Sequence, residues 1–295
     1  MTPSPRPLGD SGISVYPIGL GGMPMSLAGR PPEERSIRVI LAALEAGVDL
    51  IDTADVYCAD DPDLGHNERL IARALREWRG HPVHVATKGG MARPDGRWVR
   101  DGHPDQLRRA CERSLVALGV DVITLYQLHV PDLARAPYED IIGALADLRA
   151  AGKIRHVGLS NVSAEQIDRA RAIVPIVSVQ NRCNPLDRGA WADGVIQRCE
   201  ALGLAFLPYS PVGGSRERGT IAGEPALRRV GERLGATPQQ VALAWLLARS
   251  PVMIPIPGAS RVESATESAA AARLRLGADD LAELDAAYPI TGGAA

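Results

Sequence analysis

Lysine and phenylalanine are nearly absent from this chain. Of its 33 basic residues only Lys88 and Lys153 are lysines, there is one phenylalanine, and aromatic residues make up 4% of 295 positions. The first scarcity gives each lysine unusual weight as a signal, and the second leaves a binding site few large rings to build with. Long apolar runs are missing as well. Nothing approaches the ~18 apolar residues of a membrane span, and the opening MTPSPRPLGD has no apolar leader segment. A cytoplasmic protein with no membrane partner is therefore expected. The formal net charge of -2 gives no reason to expect nucleic acid as a partner. The four cysteines, Cys58, Cys111, Cys183 and Cys199, form no C-x-x-C pair. They read as reduced thiols, and no metal centre is expected.

What is present is a regular alternation. Short runs rich in Val, Ile and Leu stand at 16–21 (YPIGLG), 48–52 (VDLID), 83–88 (VHVATK), 122–129 (VITLYQLH), 154–160 (IRHVGLS), 176–181 (IVSVQN), 204–210 (LAFLPYS) and 252–258 (VMIPIPG). Continuous apolar runs of this length suit parallel strands buried on both faces. Between them the spacing turns helical, as with Ile37, Ile40, Leu41 and Leu44, or Leu107, Cys111, Leu115 and Leu118. Thr237-Pro238 reads as a helix cap followed by proline in the first turn. Gly47, Gly119, Gly152 and Gly203 each follow a helix, where a left-handed residue is wanted. Eight such units predict a single α/β domain over 1–295, a (β/α)8 TIM barrel. LGDSGIS predicts an N-terminal hairpin at the barrel bottom. SRVESATESAAAARL and ADDLAELDAAY predict extra C-terminal helices.

In such a barrel chemistry sits where strands hand over to loops. The ends of runs two to four deliver Asp52 with Tyr57, Lys88, and His129. Run five ends in Ser160-Asn161, run six in Gln180-Asn181, run seven in Tyr209-Ser210, and run eight in Gly258 followed by Ser260 and Arg261. The first four make chemical sense together. A phenol titrates near ~10, too high for a donor that must regain its proton near neutrality. A nearby ammonium lowers that value, and a carboxylate holds the ammonium. Arginine would bring a planar fork of different geometry, so a lysine here, in a chain that otherwise uses arginine, is telling.

These residues, with GKIRHVGLSN, LPYSP and IPIPGASRVESATES, make the sequence resemble the aldo-keto reductase family over nearly its whole length. The resemblance implies a catalytic tetrad of Asp52, Tyr57, Lys88 and His129. It implies that Ser160, Asn161 and Gln180 grip a nicotinamide carboxamide and that Tyr209 stacks on the nicotinamide ring. Ser210 and Pro211 are placed with the cofactor by the same motif. Gly258, Ser260, Arg261 and Glu267 fall at its phosphate and adenosine end. The implied cofactor is NADP(H) rather than NAD(H), and the implied partner is a small carbonyl substrate reduced to an alcohol. Two alternatives remain open: a sugar or polyol dehydrogenase working oxidatively, and a cofactor-bound interaction protein like the potassium-channel β subunits.

Other motifs fail on inspection. GLGGMP does not complete G-x-G-x-x-G, GLSNV lacks the second glycine of a nucleophile elbow, and HNERL is not H-E-x-x-H. His81 and His84 lie at the wrong end of their strand, and His66, His103 and His156 read as surface or loop residues. Glu68 is expected to orient a neighbouring loop or helix. The chain also departs from the family. The tyrosine is followed by a long acidic loop, CADDPDLGHNE, in which Asp60, Asp61 and Asp63 are expected to border the substrate entrance. NRCN carries Cys183 where an aromatic is usual, and Glu267 is followed by Ser268 rather than Asn. VGGSRERGTIAG after Tyr209 reads as a short loop without a lid. Trp98 is the best candidate for a substrate wall.

Overall fold

The computed structural model describes residues 3–290, with the backbone alone at 215–218, so the outermost residues of the expected 1–295 domain lie outside it. Seven of the eight runs form one parallel sheet in sequential order: Leu20–Gly21, Leu50–Asp52, His84–Gly89, Ile123–Leu128, Ile154–Ser160, Ile176–Gln180 and Ala205–Phe206. The eighth run makes no regular ladder, because Pro255 and Pro257 have no N–H to give. It bridges the two edges nonetheless. Phe206 N donates to Val252 O (2.8 Å) and Ile254 N to Phe206 O (2.8 Å). On the other side Gly19 N donates to Pro255 O and Gly21 N to Pro257 O, each at 2.9 Å. The sheet is therefore closed into a (β/α)8 barrel.

Helices follow the strands in turn: Glu33–Glu45, His66–Glu77, Pro104–Leu118, Tyr138–Ala150, Ala164–Arg171, Val195–Leu202, Pro238–Arg249 and Val262–Ala270, with Ala278–Ala287 added behind. The capping signals read from the sequence are in place. Thr237 Oγ1 accepts from Gln240 N at 3.2 Å, and the four post-helix glycines all have positive φ. The stretch after Tyr209 differs from expectation. Gly214–Gly223 is a helix, followed directly by Pro225–Leu234. Four glycines in the eleven residues 213–223 conceal the helical spacing that the buried Ile221 still serves.

Strand alternation sorts the side chains. Leu50, Ala86, Leu125, Ala205, Leu207, Ile254 and Ile256 fill the barrel interior, while Ile51, Tyr126 and Phe206 face the helices. The N-terminal hairpin, Arg6–Pro7 paired with Ser14–Val15, sends Leu8 and Val15 into the interior cluster and plugs its lower end. Its turn glycine Gly9 has φ +59, and a Cβ there would stand 2.2 Å from Val177 O. The same hairpin offers a control, since Gly12 has φ +76 with nothing within 4 Å. Gly9→Ala should cost roughly 2–4 kcal/mol, backbone strain plus a clash with fixed main chain. Gly12→Ala should cost only the strain, about 1–2 kcal/mol. Denaturant unfolding midpoints check this, and equal losses for the two would show that the plug is not seated against strand six.

Candidate active site

The tetrad comes together at the mouth from three strand ends. Lys88, at the inward position two after Ala86, has no exposed surface. Its ammonium has three N–H donors and meets three acceptors: Asp52 Oδ2 at 2.6 Å, Thr53 O at 2.9 Å and Tyr57 Oη at 3.0 Å. The far oxygen of Asp52 accepts from Gln180 Nε2 (2.7 Å) and Gln127 Nε2 (3.2 Å). Both carboxylate oxygens are thus engaged without water.

Burial sets the protonation of this group. Desolvation pulls the Lys88 pKa down, but Asp52 and Tyr57 outweigh it and carry it above 10.5. The expectation that Lys88 lowers the tyrosine holds only as a contribution. Burial raises the Tyr57 phenol and Asp52 adds to it, so the net direction is upward from 10.0 despite the ammonium. His129 is held well below 6.5 by burial and by the Lys88 charge, and its Nδ1 is enclosed without a partner. The neutral ring lies edge-on to Tyr57, centroids 5.9 Å apart, leaving Nε2 as the nitrogen able to meet a ligand.

Around this core the other expected residues fall into two groups. Asn161, in a left-handed turn at φ 57, donates from Nδ2 to His129 O (2.9 Å) and accepts at Oδ1 from the Tyr209 hydroxyl (2.9 Å). Ser160 Oγ donates to Gln180 O at 2.7 Å, and Asn184 donates to Ser210 O at 3.1 Å. These residues join the tetrad. Gly258, Ser260, Arg261 and Glu267 do not: they stand at the rim, where Gly258 bridges Gly21 and Arg261 caps the backbone of Val262–Ala270. No side chain caps that helix, so its first-turn N–H groups and the exposed Arg261 could hold an anion. Trp98 sits over the mouth, 6.3 Å from Tyr57 and 6.4 Å from His129 between ring centroids.

Four residues escaped the sequence reading. Thr53 supplies the carbonyl for Lys88, and its hydroxyl donates to Asn67 Oδ1 at 2.6 Å. Asn67 in turn donates to Gly22 O (2.9 Å) and Ser26 Oγ (2.7 Å), tying the first loop to the second. Gln127 was detectable, since Leu125, Gln127 and His129 alternate on the inward face of one strand. Arg93 lies behind Trp98, with Cζ 4.1 Å from its ring centroid. Several expectations are corrected. His66 is buried, hydrogen-bonded through Nδ1 to Ser26 Oγ at 2.8 Å, because it opens a helix whose first turn packs inward. Asp61 accepts from Arg93 N (2.9 Å), while Asp63 accepts from Ala59 N and pairs with Arg30. These bonds brace the loop, while Asp61 stays exposed. Glu68 accepts from Thr87 Oγ1 at 2.6 Å and so braces the strand that carries Lys88.

A histidine kept neutral by burial has a thermodynamic consequence. The unfolded chain takes up a proton as pH falls through 6.5, whereas folded His129 does not. Its contribution is therefore fully present above about pH 6.5 and is lost progressively below it, until pH reaches the depressed folded value. His129→Gln should flatten the fall of Tm between neutral pH and about pH 5. Parallel wild-type and variant curves would contradict the assignment.

Among the described residues no three His, Cys, Asp or Glu are grouped to hold a metal, and no helix is long and apolar enough to cross a membrane. The profile of the aldo/keto reductase family matches residues 17–289. An uncharacterized oxidoreductase of Schizosaccharomyces pombe is 37% identical over 278 residues, covering 92% of this chain and 86% of that one. Pyridoxine 4-dehydrogenase of Escherichia coli is 36% identical over 281 residues, covering 92% and 94%. The crystal structure of an aldo/keto reductase from Klebsiella pneumoniae in complex with NADP and acetate superimposes with a TM-score of 0.79 at 26% identity, covering 96% of this chain and 95% of that one. Closed barrel, tetrad and kinship agree, and the chain belongs to the aldo/keto reductase family of oxidoreductases.

Proposed function

We propose that this protein reduces an aldehyde or ketone to an alcohol, with Tyr57 as the proton donor. The observation that carries the reading is the buried chain Asp52–Lys88–Tyr57 beside a neutral His129. The cofactor is NADP(H), which supplies the hydride. Lys88 donates to the Tyr57 oxygen and so leaves the phenol's own proton free for the mouth. Burial keeps that acid loaded at neutral pH, and the ammonium stabilises the phenolate left behind. His129, uncharged, polarises the carbonyl oxygen through Nε2. Asn161 couples the positions of His129 and Tyr209, so one amide would position both the group that polarises the carbonyl and the ring that would hold the nicotinamide.

The donor set suits a dinucleotide. Tyr209 offers a ring face, Ser160, Asn161 and Gln180 offer amide and hydroxyl groups, and Ser210 and Pro211 shape the turn beneath. At the rim Gly258 and Ser260 lead into the uncapped helix that carries Glu267, where Arg261 would hold a 2′-phosphate. The name of the Escherichia coli relative favours a second, oxidative reading with an alcohol such as pyridoxine. The same residues would then work with Tyr57 as phenolate, and its raised pKa confines that direction to alkaline pH.

Tyr57→Phe should lower kcat on the best aldehyde by about 10²–10⁴-fold with NADPH affinity nearly intact. Wild-type turnover in this variant would remove Tyr57 as the acid. A single oxidation of bound NADPH per chain, in place of many, would instead favour an interaction protein. Arg261→Ala should weaken NADPH binding by about one to two decades and leave NADH almost unchanged. Equal losses for the two cofactors, measured by nucleotide fluorescence, would show that Arg261 does not read the phosphate.

A further inference from the structure

Directly after Lys88, strand three runs into a small hairpin in which Met91–Ala92 pairs with Val99–Arg100. Its tip turns sharply through Asp95 (φ 52) and Gly96 (φ +74), with Arg93 on one side and Trp98 on the other. Arg93 is only 4% exposed, which is unusual for a guanidinium without a carboxylate against it. Its Nη2 donates to the carbonyls of Cys58 (3.4 Å) and Ala59 (3.3 Å), the two residues after Tyr57, while Nε and Nη1 are buried with no hydrogen-bond partner. Unmatched N–H groups drive such a side chain toward water. What opposes them is the face of Trp98, 4.1 Å from Cζ.

The stack works in both directions. Trp98 is 44% exposed, so an unsupported indole would be free to choose among rotamers. Arg93 covers one face and leaves the ring standing edge-on to Tyr57 and His129, at interplanar angles of 76° and 72°. The guanidinium is at the same time fastened to the loop that carries the acid.

We propose that Arg93 is a positioning residue for substrate: clamped between the Cys58 and Ala59 carbonyls and the Trp98 face, it fixes the indole as a rigid wall beside Tyr57 and biases the site toward carbonyl compounds bearing a flat ring. This rests on the reading that a carbonyl is reduced at Tyr57. The geometry requires a planar cation. A lysine could reach the same carbonyls and keep the charge, but it has no face to lay on the indole.

The test uses the NADPH-loaded enzyme with benzaldehyde and propanal as probes, in wild type, Arg93→Met, Arg93→Lys, Trp98→Ala and the Arg93→Met/Trp98→Ala double variant. Arg93→Met should lower the benzaldehyde-to-propanal ratio of kcat/KM about tenfold, through KM for benzaldehyde. Arg93→Lys should lower it as much, and the double variant should fall no further than Trp98→Ala alone. Additive losses, rescue by lysine, or parallel losses on both aldehydes would overturn the proposal. Acrylamide quenching of tryptophan emission gives a second readout that needs no turnover. Arg93→Met should raise quenching relative to wild type, and the rise should vanish in an Arg93→Met/Trp98→Phe background. If the wild type reduces neither aldehyde, the activity reading fails, and quenching alone decides the stack: unchanged quenching in Arg93→Met refutes it.

Discussion

An ammonium with no exposed surface must find all its acceptors inside the protein, and Lys88 finds them in Asp52, the Thr53 carbonyl and the Tyr57 phenol. Breaking such a buried pair on one side leaves an uncompensated charge, so the three acceptors constrain one another strongly. Strand two must end in register with strand three for Asp52 to reach Nζ, and it does, with Asp52 opposite Ala86. The loop after Thr53 must turn back so that Tyr57 meets the same nitrogen. Asn67 enforces this by holding the Thr53 hydroxyl and the Gly22 carbonyl at once. Gln127 and Gln180 close the remaining side of Asp52, which brings strands four and six into the same network.

A second layer of polar groups stands behind the first. Asp55, between Asp52 and Tyr57, is buried with Arg113 at 3.6 Å, and Glu68 takes the hydroxyl of Thr87, the neighbour of Lys88. Burial and the charge of Glu68 raise the pKa of Asp55, and burial raises that of Glu68. Alternation explains one of these contacts: Thr87, next to the inward Lys88, faces the helices, where Glu68 of His66–Glu77 meets it. The site is therefore gripped from both sides of the barrel wall, and its loops need little freedom of their own.

Much of this was legible in the sequence. Buried parallel strands announce themselves as apolar runs, and seven of the eight became strands within a few residues of the expected ends. The eighth was found by its apolar run, although its prolines deny it a regular ladder. Lys88 stood out because lysine is so rare here. What stayed hidden depends on pairs distant in sequence. The acidic residues 60, 61 and 63 read as a border of the substrate entrance, and nothing in the sequence signalled that the Arg93 and Ala59 N–H groups and the Arg30 side chain would engage two of them. His66 and Asn67 look polar and are buried, since they serve a loop 40 residues upstream, at Ser26. The net shift of Tyr57 was also beyond reach. Composition names the neighbouring charges, but only the fold shows that dehydration outweighs the ammonium.

The central claim is that Tyr57 enters the reaction as a loaded acid, kept protonated by burial and prepared for deprotonation by Lys88. The most direct measurement follows the Tyr57 phenol itself, by NMR of tyrosine labelled at the ζ carbon and assigned with Tyr57→Phe, as pH is raised. The account predicts no phenolate signal from Tyr57 up to the ordinary tyrosine value of 10.0. A Tyr57 resonance that titrates below that value, near neutrality, would show that the Lys88 charge outweighs burial and would contradict the account.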